Sequence, residues 1–410
     1  MRIRSAILTA VLVVSLIGAA AAPAATQGAE AEGYSGAFIE FETADAAVND
    51  YTVSGQVVVD SLRVQSAGEA GGEGDDEGGV GVGVGADSSV SIDGAAVQSQ
   101  NSGAARASVA FESGAQLEAN DNRRGVVRIT ADGGDQVVQA NVSGDASQEG
   151  DGRVVVSGDD GAQGTFIVVG EGNISANGDG QVTAAVGEGG QVVYRQYDGE
   201  RSDSEQQQEQ LIQDGTAAAE LFVRGAADSE GGSDGGDNET SVVTYDEDTS
   251  AEVTSRSESQ INATVDRTQQ QGKVVVVTVA ESAVQSAESL EVLIDGEAAA
   301  QADSYGEVRQ SAEEGDEPRY LVRQSSSAEA AVDVVVGIDG FSERQLSIQD
   351  ADDGESTPTD MGNGDNETDG DGETSTDGDD GSSADGPGFG ALAALIALTA
   401  ALVAAAARRR

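Results

Sequence analysis

Residues 181–197 read QVTAAVGEGGQVVYRQY. Two apolar, β-branched runs, Gln181–Val186 and Gln191–Tyr197, flank a GEGG cluster, which is the pattern of strands separated by a glycine turn. Working outward, the same pattern covers 125–129, Gln136–Val142, Arg153–Ser157 and 165–169, with DGG, GDDG and NGDG between the runs. The spacing is too irregular for the fixed repeat of a solenoid. The expected fold class is therefore mainly β, an antiparallel β-sandwich-like body, with a β-helix as the alternative.

One segment departs from this pattern. Residues 202–214, SDSEQQQEQLIQD, carry an S-x-x-E capping box in Ser202 and Glu205 and are followed by Gly215, so one short helix is expected there. The polar stretch 226–239 after Gly225 reads as a flexible excursion. Further on, KVVVVTV, LEVLIDG, RYLVRQ, VDVVVGI and RQLSIQ give five strand-like runs, a small Ig-like β module over 271–349 that follows a β-rich domain over 25–270. Residues 350–386 then hold 14 acidic and no basic residues among Gly, Ser and Thr, a composition that reads as a disordered acidic stalk.

The two flanks carry targeting patterns. Arg2 and Arg4 precede an apolar run and small residues at Ala22 and Ala24, the arrangement of a secretory signal peptide over 1–24 that signal peptidase would remove. In 387–410, Pro387, Gly388 and Phe389 open an uncharged run, 389–407, that ends in Arg408, Arg409 and Arg410. As a helix that run would cover about 28 Å, just enough for a bilayer core, with the arginines on the cytoplasmic side. Tripeptide, span and basic end in this order resemble the PGF sorting signal of halophilic archaeal surface proteins. The resemblance implies processing by an archaeosortase and a membrane lipid anchor near the tripeptide, in logic parallel to a GPI signal.

The charge balance fits an exported, salt-adapted surface. All 74 acidic residues fall between Glu30 and Asp385 and five of the 21 basic ones lie in the flanks, leaving a formal −58 in between. In molar salt the Debye length falls to about 3 Å and the self-repulsion is screened. Nucleic acid is excluded as a partner, because phosphate binding needs clustered Lys and Arg. The absence of Cys removes disulfides from the stability account.

Chemistry narrows by elimination. With no His and no Cys there is no Ser-His-Asp triad, no cysteine nucleophile and no ordinary zinc site, and Lys273, the single lysine, opens an apolar strand. Loose calcium-loop matches around Asp365 and Gly71 lack their deciding ligands, so no metal, no cofactor and no catalytic residue is assigned, and the chain is expected not to be an enzyme. Five of the 11 asparagines stand in N-x-S/T, at Asn141, Asn173, Asn238, Asn262 and Asn366. About 1.6 would arise by chance at this Ser and Thr content, so N-glycosylation is expected. The expected function is a structural or adhesive glycoprotein of the extracellular face and S-layer. The alternative is a carboxylate-based ligand-binding or hydrolytic surface protein.

Overall fold

The computed structural model describes residues 32–44, 46–70, 97–102, 106–177, 180–224, 240–257, 259–280, 289–315, 317–324, 331–340 and 343–351. The proposed signal peptide, the acidic linker beyond residue 351 and the PGF-like tail lie outside them, as does the excursion 226–239. Strands dominate, and they form four sheets.

The first sheet orders Glu32–Ser35, Ile39–Ala44, Ala47–Val53, Gln56–Ser66, Gln136–Val142, Gln181–Val186 and Gly172–Ala176. The second orders Asp145–Glu149, Arg153–Ser157, Gln163–Val169, Gln191–Tyr197, Val127–Thr130, Gln116–Asn120, Arg106–Phe111 and Val97–Ser102. Every pairing in these two sheets is antiparallel. Alternation along the strands puts Phe41, Tyr51 and Val64 of one sheet against Leu117, Phe166 and Tyr194 of the other in a single apolar core. The body is thus an antiparallel sandwich, neither a closed barrel nor a solenoid.

A second sandwich follows. Its inner sheet orders Thr240–Thr244, Ala217–Val223, Gln271–Ala280, Ala331–Gly340, Arg319–Gln324 and Ala300–Gln301, and its outer sheet Thr249–Arg256, Gln260–Arg267, Arg344–Asp350, Leu290–Ile294 and Glu297–Ala298. Leu221, Val277 and Val334 face Ile261, Val292 and Ile348 across its core. This corrects the boundary expected at 270/271. The run KVVVVTV is a central strand and needs a partner on each side. One is Ala331–Gly340, but the other is Ala217–Val223, in parallel register across the expected boundary. The five predicted runs are strands, yet they are completed by strands from 217–267 and do not form a module of their own. Asp350, assigned to the stalk, closes a strand and is buried.

Helix Asp203–Gln213 forms as expected, with both hydrogen bonds of the Ser202/Glu205 capping box made. It is not alone: a short turn Ala67–Ala70 and a second well-capped helix, Tyr305–Glu314, accompany it. Tyr305–Glu314 begins at Ser304, whose side chain accepts from the Glu307 N–H, and stops at Gly315 with φ 70°. It lies so close to the inner sheet that a Cβ on Gly337 would fall 2.3 Å from the Val308 carbonyl oxygen, and one on Gly272 would fall 2.1 Å from that of Ala312. Glycine at these two strand positions is what admits the helix. A third apolar cluster, with Ile167, Val193, Leu211, Ile212, Val276 and Val335, joins the far face of the second sheet, the two helices and the inner sheet. The described residues belong to one compact unit.

Candidate functional site

Strands Gln191–Tyr197 and Ala217–Val223 are buried at all seven positions, because each is covered on both faces. Tyr194 points into the first core, so Arg195 must point the other way, toward helix Asp203–Gln213 and the inner sheet. By the same alternation Leu221 enters the second core and Glu220 faces back. The two meet: Arg195 Nη2 lies 2.5 Å from Glu220 Oε1, and neither side chain is exposed to solvent.

Around this pair a charged network fills the junction of the two sandwiches. The other Glu220 oxygen accepts from the Tyr245 hydroxyl at 2.7 Å. Arg124 reaches Glu205 at 3.1 Å, Asp333 at 3.3 Å and Glu220 at 3.7 Å. Asp333 also accepts from Gln208 Nε2 at 2.7 Å and from Thr278 Oγ1 at 2.8 Å. Glu209 accepts from the Tyr197 hydroxyl at 2.8 Å and pairs with Arg201 at 2.6 Å and Arg153 at 3.4 Å. Both central guanidiniums sit over the Tyr197 ring, at 5.1 Å for Arg124 and 5.7 Å for Arg195.

The electrostatics follow from burial. Burial by itself would lower the Arg195 pKa, but Glu220, Tyr197, Tyr245 and Glu209 outweigh it and hold the guanidinium above its ordinary value. Arg124 is raised in the same way: burial and Arg195 oppose its charge, and Asp333 and Glu220 overcome them. Burial first, and then the Glu220 charge, drives the Tyr245 hydroxyl well above its usual range, so it remains a donor. The cluster can hold fixed charge in place. It presents no open position to a substrate, since Arg195, Gln208, Glu209, Glu220 and Asp333 are each wholly buried.

A family model described as MAST domain matches residues 196–410, slightly more than half of the chain. The chain belongs to the MAST domain family. The match divides the network in an informative way. Its carboxylates Glu205, Glu209, Glu220 and Asp333 all lie inside the MAST region, whereas Arg124, Arg153 and Arg195 lie before it. The MAST region thus offers a buried acidic face, and the preceding sandwich supplies most of its counter-charges. No curated protein matches the sequence. Among solved structures the chain is similar to a mutant form of a glycoside hydrolase family 81 enzyme from Clostridium thermocellum, CtLam81A, at 10% identity and a TM-score of 0.36, over 76% of this chain and 34% of that one. The chain spans about a third of that enzyme's length, and a likeness this distant carries no argument about activity.

The residues singled out from sequence are placed apart from this cluster. Asn141, Asn173 and Asn262 all lie on strands. Their neighbours Ala140, Val142, Ile174, Ile261 and Ala263 enter the cores, so the three asparagines face outward from the first sheet and from the outer sheet of the second sandwich. Asn141 is exposed, and its amide donates to Ser61 Oγ at 2.9 Å; that of Asn262 donates to Ser255 Oγ at 2.9 Å. Asn238, Asn366, Ala22, Ala24, Pro387, Gly388 and Phe389 lie outside the described residues. Lys273 pairs with Asp246 at 3.4 Å and donates to the Gly215 carbonyl. Among the described residues no group of three or more acidic side chains is placed to hold a metal ion. No helix among them is long and apolar enough to cross a membrane, and 389–407 lies outside them.

Sequence reasoning missed the network, although a signal was present. Glu220 in AAAELFV, Asp333 in AAVDVVVG and Arg195 in VVYRQY are each a lone charge inside an apolar run. A charge in such a strand must find a partner or cost several kcal/mol.

Proposed function

We propose that the chain is a glycoprotein of the outer cell surface with a structural or adhesive role, exported through its amino-terminal signal and attached through its carboxyl-terminal region. The observation that carries this reading is the position of the acceptor asparagines. All three described sequons face outward from the two outermost sheets, where a glycan meets no core residue. The junction of the sandwiches supports it further: its charged side chains are paired with one another inside a closed interface between two sheets. The PGF-like tripeptide, the apolar run and the arginines support attachment by a lipid after processing of the tail, and the acidic surface supports a setting of high salt.

Intact-mass analysis of the protein recovered from native membranes tests the reading. The expected product lacks the signal peptide and the residues beyond Pro387–Gly388–Phe389, carries an added lipid mass, and shows glycan masses on peptides containing Asn141, Asn173 or Asn262. An unglycosylated chain that still ends in Arg408, Arg409 and Arg410 contradicts it.

A further inference from the structure

The first sandwich is not closed at one end. Between its sheets lies a cavity of about 270 Å³, where the opening residues of strand Gln56–Ser66 face a row formed by Val156, Gly164 and Gln196 across three strands of the second sheet. An apolar plug would be the ordinary way to finish such a core. Here the end is lined by a buried polar pair instead. Gly164 has no side chain, and a Cβ there would fall 2.4 Å from the Tyr194 hydroxyl oxygen, so glycine lets that hydroxyl lean across the strand. Tyr194 donates to Gln196 Oε1, and Gln196 Nε2 donates to the Tyr197 carbonyl at 3.3 Å. These two side chains are only 2% and 8% exposed. The Tyr194 oxygen keeps its capacity to accept.

The mouth has a different character. Asp159 and Asp160 are exposed there, and Asp160 accepts from the Gln56 side chain and from the Ala162 N–H at 3.2 Å. Val57, the large apolar residue that is 42% exposed, forms the rim, with Val58 behind it.

We propose that this cavity binds one ring of a neutral sugar. No Lys or Arg lies among its lining residues, and two carboxylates guard the entrance, so anionic ligands are repelled. Carboxylates, amide carbonyls and the Tyr194 oxygen make the lining rich in acceptors, which suits a ligand that brings several hydroxyl donors. Val57, Val58 and Val156 give the C–H face of a pyranose an apolar wall. The volume admits a single ring and excludes a folded peptide or a nucleotide. Two adjacent carboxylates, one already engaged by Gln56 and a backbone N–H, do not make a calcium cage. The cavity lies in the sandwich that precedes the MAST region, apart from Gln196 at its first residue. The inference goes beyond the proposed surface role and does not depend on it, since an unanchored, unglycosylated chain would still bind.

Saturation-transfer NMR of the full chain in molar KCl tests it, with glucose, galactose, mannose and N-acetylglucosamine presented singly and glycine betaine as a separate arm. Calcium chloride, which has no proton to report transfer, is followed by chemical-shift changes of the protein. At least one sugar is expected to receive saturation with millimolar affinity. Binding should weaken about tenfold or more in both Val57→Arg, which blocks the rim, and Asp159→Ala, which removes an acceptor. Both positions are exposed, so circular dichroism of the variants should match the parent. Absence of transfer to every sugar, transfer that neither variant alters, or response to betaine or calcium alone overturns the proposal.

Discussion

Replacing Arg195 with methionine is expected to destabilise the folded chain by about 3–5 kcal/mol, because it leaves the Glu220 carboxylate buried without its counter-charge. Methionine approximates the volume of the arginine stem, so the loss reports charge more than cavity. Adding Glu220→Leu to Arg195→Met should recover much of that loss, since a buried pair replaced by apolar residues is close to neutral in general. Tyr245 then loses its acceptor, which keeps the recovery incomplete. As a control, Arg344→Met removes a pair with Asp295 whose partners are 28% and 41% exposed, and should cost no more than about 1 kcal/mol. Denaturant titrations of the four proteins at one fixed molar KCl concentration measure all of these. Equal losses in the Arg195 and Arg344 variants would show that the Glu220 carboxylate does not depend on a buried counter-charge.

Alkaline pH should unfold the protein abruptly. The chain has seven tyrosines, and the hydroxyls of all seven are raised above their ordinary value of 10. Burial is the first cause in each case, with a nearby carboxylate adding to it for every one except Tyr194. Tyr34, beside Asp121, reaches about 12. A raised folded pKa means that above pH 10 the native state keeps protons that the unfolded chain releases. Stability is therefore complete below pH 10 and falls as pH climbs toward the folded values. Each of the fully buried ones, Tyr51, Tyr194, Tyr197 and Tyr245, removes about 1.4 kcal/mol per pH unit across that window, and the others contribute less. Tyrosinate absorbance should stay silent past pH 10 and then rise in one step together with loss of the β-sheet dichroism signal. A gradual rise centred on pH 10 with the fold intact would contradict the burial of these rings.

How much of this could be read beforehand differed by element, for physical reasons. Gln136–Val142, Arg153–Ser157, Gln181–Val186 and Gln191–Tyr197 were legible to the residue because β-branched runs stop at glycine turns that need positive φ, as at Gly134, Gly161, Gly180 and Gly189. The helix Asp203–Gln213 was legible through its capping box. The helix Tyr305–Glu314 was not, since only Val308, Ser311 and Ala312 are buried, too few to set a period, although Ser304, Glu307 and Gly315 mark its ends. Strands Ile39–Ala44 and Ala47–Val53 carry Glu40, Glu42 and Asp50 among their apolar residues, which broke up the runs that identify strands elsewhere. The domain boundary failed because pairing between Ala217–Val223 and Gln271–Ala280 is parallel and separated by more than forty residues, and no local pattern announces a partner. The network was hidden for the same reason: each lone charge was visible, but Arg124 and Asp333 meet across 209 positions. The outward-facing sequons were visible as a motif, and only the register of their strands gave them a side.

The junction also bears on how the MAST region behaves. Four buried carboxylates on one face of it are balanced largely by arginines that the family match does not include. In this chain the preceding sandwich therefore acts as a structural counterpart, and the two should not unfold independently.

Scanning calorimetry of the intact chain in molar KCl tests that claim most directly. One transition is predicted, with the calorimetric enthalpy equal to the van't Hoff enthalpy, because exposure of either sandwich would strand buried charges in the other. Two resolved transitions, with the strands of one sandwich surviving the melting of the other, would contradict it.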